Sequence, residues 1–184
     1  KPLAFIDKSR FIMLSNVINF SMFLFLSFSV LAEKNASEYR INGTETLNLT
    51  SKINQKEYEL YIKLPRSYSK TQKNYPMVIL SDTGFSFPIT SGVVGLMGGR
   101  DIEEVIIVGI SYSKGSSAQI SRTRDYTPTF ALDEAGAHSL EAQKHSGEAL
   151  KYIQFIEKEV FPLISKEYRV DDNNKIYIGH SFGG

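Results

Sequence analysis

Lys175-Ile176-Tyr177-Ile178-Gly179-His180-Ser181-Phe182-Gly183-Gly184 is the stretch that decides the fold. Lys175 to Ile178 reads as a short strand buried on both faces, and it runs straight into a glycine-bracketed serine. Glycine at 179 and 183 leaves no side chain where a strand-to-helix turn is tightest, and Gly184 lets the next helix pack close. Such a turn presents the hydroxyl of Ser181 at the edge of a sheet, with the amide of Phe182 aimed at charge developing on a bound carbonyl.

Upstream, the pattern is that of a buried sheet. Met77-Val78-Ile79-Leu80 and Val105-Ile106-Ile107-Val108-Gly109-Ile110 are continuous apolar runs rich in β-branched residues, as expected of parallel strands covered by helices. Before them, Thr46 to Thr50 and Tyr58 to Leu64 predict an antiparallel hairpin. Tyr58, Leu60, Ile62 and Leu64 alternate with more polar neighbours, the period of a half-buried strand. Ser91 to Gly99 predicts a packed helix, with Gly98-Gly99 as a turn, since no Lys-Ser/Thr follows to make a phosphate loop. In 147–168, Ala149, Ile153, Ile156, Val160 and Leu163-Ile164 recur at helical spacing, and Pro162 predicts a kink or split. Asp171 to Asn174 reads as a turn. A hairpin followed by alternating strands and helices predicts an α/β fold with a mostly parallel sheet.

Composition narrows the function. The 184 residues suit one domain, and the apolar content of 42%, charged content of 22% and net charge of +1 are ordinary for a globular chain. No basic stripe supports nucleic-acid binding. Cysteine is absent, which excludes disulfides, thiolate metal sites and a cysteine nucleophile. The run Phe20 to Ala32, FSMFLFLSFSVLA, has the length of a signal-peptide core and ends in Val30-Leu31-Ala32. Residues 1–32 are therefore expected to be a signal region, with Met13 as a possible true start, and 33–184 part of one domain exported to the periplasm or secreted. Ser15, Asn16 and Asn19 interrupt any bilayer span, so no stable membrane insertion is expected after cleavage. Sequons at Asn35, Asn42 and Asn48 matter only in a glycosylating host.

Four blocks in order give a family resemblance over roughly Glu57 to Gly184. They are Pro76 to Pro88, Ser121-Arg-Thr-Arg-Asp-Tyr-Thr-Pro128, Ser146 to Glu159, and Ile178-Gly-His-Ser-Phe-Gly-Gly184. Together they resemble the esterase family of α/β hydrolases that includes esterase D and siderophore esterases. The resemblance implies an α/β-hydrolase fold, truncated here after the nucleophile elbow, and a serine-dependent carboxylic-ester hydrolase that works without metal or cofactor. It implies Ser181 as nucleophile, and an oxyanion hole from the amides of Phe182 and of Thr83 or a neighbour, Asp82 or Gly84. Arg122 and Arg124 would lie at the pocket mouth, facing an acidic or catecholate (siderophore-like) ester. The bland alternative for both arginines is a salt bridge, for instance with Asp125 or Asp133.

A serine needs a base, and in this fold the acid and then His follow the serine. The histidines are His138, His145 and His180. The first two read as loop residues, and His180, adjacent to Ser181, as packing or oxyanion-side support. The triad acid and base are thus expected beyond Gly184, and the fragment is expected to be inactive. The competing reading is a non-catalytic binding protein on the same fold.

Overall fold

Strand β1 (Thr44–Thr50) turns back into β2 (Glu57–Lys63), the antiparallel hairpin read from the sequence, with Leu47 opposite Leu60. A computed structural model describes residues 38–132 and 139–184. The signal-like run, Met13, Asn35, Asp133 and His138 lie outside the described residues. Among the described residues no helix is long and apolar enough to cross a membrane.

The sheet continues through β3 (Tyr75–Leu80), β4 (Ile106–Ile110) and β5 (Val170–Ile178), in the spatial order β1-β2-β4-β3-β5. β2 meets β4 antiparallel, whereas β3 is parallel to both β4 and β5. The crossovers carry helices: α1 (Thr83–Met97) between β3 and β4, then α2 (Ala118–Tyr126), α3 (Leu140–Gln143), α4 (Ala149–Phe155) and α5 (Phe161–Glu167) before β5. Every residue of β3 and β4 is buried. Alternation along each strand sends Met77, Ile79, Ile106, Val108 and Ile110 to one face, where Tyr152, Phe155, Val160 and Ile164 of the long helical segment cover them. Val78, Leu80 and Ile107 point to the other face, against Phe87 of α1. Each such side chain, fully buried, contributes roughly 1.5–3 kcal/mol, so the two layers fix the ends of β3 and β4 firmly.

Three expectations need correcting, and one is met. The first crossover helix begins at Thr83, not Ser91, and includes Pro88. Pro88 and Gly84, the residue whose carbonyl loses a partner there, both lie on the exposed side, where water replaces the missing hydrogen bond. As the expected split at Pro162 requires, the helical run over 149–167 is parted into α4 and α5 by a π-helical turn, Ile156–Val160, and Pro162 stands in the first turn of α5, where its missing N–H costs least. Asp171 to Asn174 keep their turn chemistry, since Asp171 accepts from the Asn173 amide, but they lie within β5 as an irregularity where the register against β3 shifts. Finally, Ile176, Tyr177 and Ile178 are exposed by 53, 42 and 44%, not buried on both faces. β5 is the outer strand of the described sheet and pairs with β3 alone.

Candidate active site

Because β3, β4 and β5 are parallel, their C-terminal ends open on one edge, where open α/β sheets place their ligands. Three loops meet there. After β3 come Ser81 and Asp82, after β4 comes Tyr112, and after β5 come His180 and Ser181.

Ser181 has φ +55°, and Asp82 φ +53°. Left-handed backbone costs an L-residue about 1–2 kcal/mol, and it persists only where the surroundings enforce it. At Ser181 the enforcement is close packing of the chain on itself. A Cβ on Gly179 would stand 1.5 Å from the Gly183 carbonyl oxygen, and one on Gly183 would stand 2.6 Å from Ser81 Oγ. The turn over Ser181–Gly183 is 3₁₀, with the Gly183 amide donating to His180 O at 2.9 Å. Ser181 itself is exposed. This is the elbow that the two glycines predicted.

The elbow is tied to the end of β3. The Ser81 amide donates to Ile178 O at 3.2 Å, and Ser81 Oγ to Gly183 O at 3.1 Å. Next to it, the buried Asp82 carboxylate accepts from Arg122 Nε at 2.7 Å, Arg122 Nη2 at 3.3 Å and Tyr112 OH at 2.7 Å. The same Nη2 also reaches the carbonyl of His180 at 3.3 Å. Burial disfavours charge on Arg122, but hydrogen bonding to Asp82 and the charge of that carboxylate outweigh it and raise its pKa. Burial, and then the bond to Asp82, push the Tyr112 phenol up to about 12. Thr83, buried, opens α1 directly after Asp82. Its amide is therefore one of the first-turn donors that have no carbonyl within the helix.

Arg124 takes the alternative left open by the sequence. It is buried, 3% exposed, with Nη2 2.7 Å from Asp125 Oδ2 and 2.9 Å from Ser113 Oγ. Tyr58 OH donates to the same carboxylate at 3.1 Å and accepts from Asn54 Nδ2 at 2.9 Å. Arg124 thus ties α2 to the hairpin and does not face a pocket mouth. Arg122 is one-fifth exposed, with Nε and Nη2 engaged with Asp82 and the His180 carbonyl. His180 sets its ring edge-on against Phe85, 5.7 Å away, and His145 lies 3.9 Å from Glu141. Phe182 lines an apolar groove of about 370 Å³ together with Tyr126, Tyr152, Ile156 and Tyr177.

Tyr112, Ser81 and the carboxylate role of Asp82 are what the sequence reading missed. Ser81 and Asp82 stand directly after a buried strand, which is a usable signal. Tyr112 and the pairing of Asp82 with Arg122 depend on contacts across 30 and 40 residues of chain. Among the described residues no group of His, Asp or Glu side chains converges to hold a metal ion.

Residues 51–184 match the family described as "Putative esterase". The chain is 28% identical over 155 residues to ferri-bacillibactin esterase BesA of Bacillus subtilis, covering 81% of this chain and 53% of that protein. It therefore spans about half the length of the curated relative it matches. The structure of an IroE-like serine hydrolase from Shewanella oneidensis superposes with a TM-score of 0.64 at 32% identity, over 76% of this chain and 43% of the other. The BES protein from Bacillus cereus superposes with a TM-score of 0.66 at 24% identity, over 80% and 55%. The five-stranded mixed sheet, the elbow after β5 and the matched residues lead to one conclusion: this chain belongs to the putative esterase family and has the α/β-hydrolase fold.

Proposed function

We propose that the protein is a serine-dependent carboxylic-ester hydrolase with Ser181 as nucleophile. The observation that carries this reading is the left-handed backbone of Ser181, φ +55°, on an exposed turn at the carboxyl end of β5. A strained serine so presented has its hydroxyl clear of the sheet. Ser181 Oγ attacks the ester carbonyl as a base takes its proton. The amides of Phe182 and Thr83 stabilise the oxyanion, and the alcohol leaves to give an acyl-serine that water hydrolyses. His180 packs on Phe85 and His145 faces Glu141. The base that takes the proton is a histidine oriented by an acid, as the Ser, acid, His arrangement of this fold supplies.

The ferri-bacillibactin esterase supports an ester substrate of the siderophore kind, and the IroE-like serine hydrolase supports a serine nucleophile. The apolar run at Phe20 to Ala32 supports a place outside the cytoplasm. The test is hydrolysis of p-nitrophenyl acyl esters and of a cyclic catecholate triester by the full-length protein. Ser181→Ala is expected to abolish both, and a fluorophosphonate is expected to add to Ser181 alone. Activity surviving in Ser181→Ala overturns the reading.

A further inference from the structure

Arg122 stands between the two strained turns of the site. Its guanidinium donates to both carboxylate oxygens of Asp82, at 2.7 and 3.3 Å, and to the carbonyl of His180, at 3.3 Å. Asp82 and Ser181, each next to one of these contacts or part of it, have φ of +53° and +55°. One side chain of α2 thus holds a residue on each side of the proposed oxyanion site. Asp82 precedes Thr83, and His180 precedes Ser181 and Phe182.

The Asp82 side of this contact is enclosed. The carboxylate of Asp82 is almost wholly buried, receives Tyr112 OH as a third donor, and lies close enough to Gly183 that a Cβ there would stand 2.9 Å from Oδ2. Tyr126 places its ring 5.7 Å from the guanidinium carbon. A lysine could keep the charge but not the forked contact, because only a guanidinium presents several donors in one plane.

From this geometry we infer that Arg122 is a positioning residue, which sets the two oxyanion amides through Asp82 and the His180 carbonyl and does not bind the substrate's charge. The inference rests on the ester-hydrolase reading. It assigns Arg122 a role different from recognition of an acidic or catecholate group. A guanidinium that bound substrate would act through KM, and only on substrates bearing that group. One that places the amides acts on the chemical step for every ester, because stabilisation is realised only in the transition state.

The experiment uses the full-length protein and two substrates, neutral p-nitrophenyl acetate and an anionic or catecholate ester. In Arg122→Gln, kcat is expected to fall by on the order of 100-fold on both, the scale of loss when reacting groups are displaced by about 1 Å, with KM changed by less than about threefold. Asp82→Asn is expected to show a smaller loss of the same kind. The Arg122→Gln/Asp82→Asn double variant is expected to be no slower than Arg122→Gln, since both act through one contact. Arg122→Lys should recover only part of the rate. Thermal unfolding of each variant separates misfolding from misplacement, and Arg122→Lys, which keeps the charge, serves if Arg122→Gln does not fold. A loss confined to the charged substrate, a change in KM alone, or additive losses in the double variant would overturn the inference while leaving the hydrolase reading intact. Wild-type protein with no ester hydrolysis would overturn both.

Discussion

Ser81 Oγ donates to the carbonyl of Gly183 at 3.1 Å, so the end of β3 holds the far side of the turn that carries Ser181. Both residues are buried, Ser81 completely. Ser81→Ala leaves that carbonyl without its protein donor. The expected cost is about 1–2 kcal/mol in urea unfolding, with a several-fold drop in kcat on p-nitrophenyl esters. An unchanged unfolding midpoint would show that the contact carries no weight.

Gly179→Ala tests the close approach from the other side. Its new methyl would stand 1.5 Å from the Gly183 oxygen, and the opposing atoms are backbone with no rotamer to give. The expected outcome is destabilisation of about 3 kcal/mol or more, together with loss of fluorophosphonate labelling at Ser181. Retained labelling at a wild-type rate would mean that the elbow relaxes without harm.

The pair Arg124–Asp125 is 4 and 3% exposed at its side chains, with Nη2 and Oδ2 2.7 Å apart. Removing one partner strands the other charge in the interior. Asp125→Ala is expected to cost about 3–5 kcal/mol, measured by denaturant unfolding, whereas the joint replacement Arg124→Met/Asp125→Leu should cost less than either single change. A joint cost equal to the sum of the single ones would argue against the pair as a unit.

Alkali should loosen the fold through its tyrosines. Burial, then the hydrogen bond to Glu59, pushes the Tyr61 phenol up to about 12, and Tyr112 is held equally high by burial and then Asp82. Burial raises Tyr58 and Tyr152 further. A phenol whose folded pKa exceeds its unfolded value, near 10, stabilises the protein fully below pH 10. That contribution is lost as pH climbs toward 12, because the unfolded chain releases the proton first. The urea midpoint is therefore expected to fall steadily over this window, less steeply in Tyr61→Phe. A flat midpoint between pH 10 and 12 would contradict the assignment.

How much of this was legible in the sequence differs by element. β3 and β4 were plain because every residue of each is buried, which leaves a continuous apolar run. The hairpin was plain because Tyr58, Leu60 and Ile62 alternate. α1 was cut short because Pro88 and Gly84 argue against helix locally, and packing of Phe87 on Leu80 and Val78 overrides them. The elbow glycines announced themselves, since only a missing side chain fits there. The clamp on Asp82 did not, because a carboxylate after a strand says nothing of an arginine 40 residues on. Arg122 and Arg124, two residues apart on one helix, point to different surroundings. The motif alone assigned them one role.

Under the proposed hydrolase reading, the left-handed backbone at Ser181 sets stability against reactivity. A glycine at that position meets no penalty for φ +55°, so Ser181→Gly should fold at least as well as the natural chain while losing its hydroxyl. Any descendant released from the need for the reaction would then drift toward glycine at this position, and a glycine in place of Ser181 in an otherwise intact relative would mark a scaffold kept for binding.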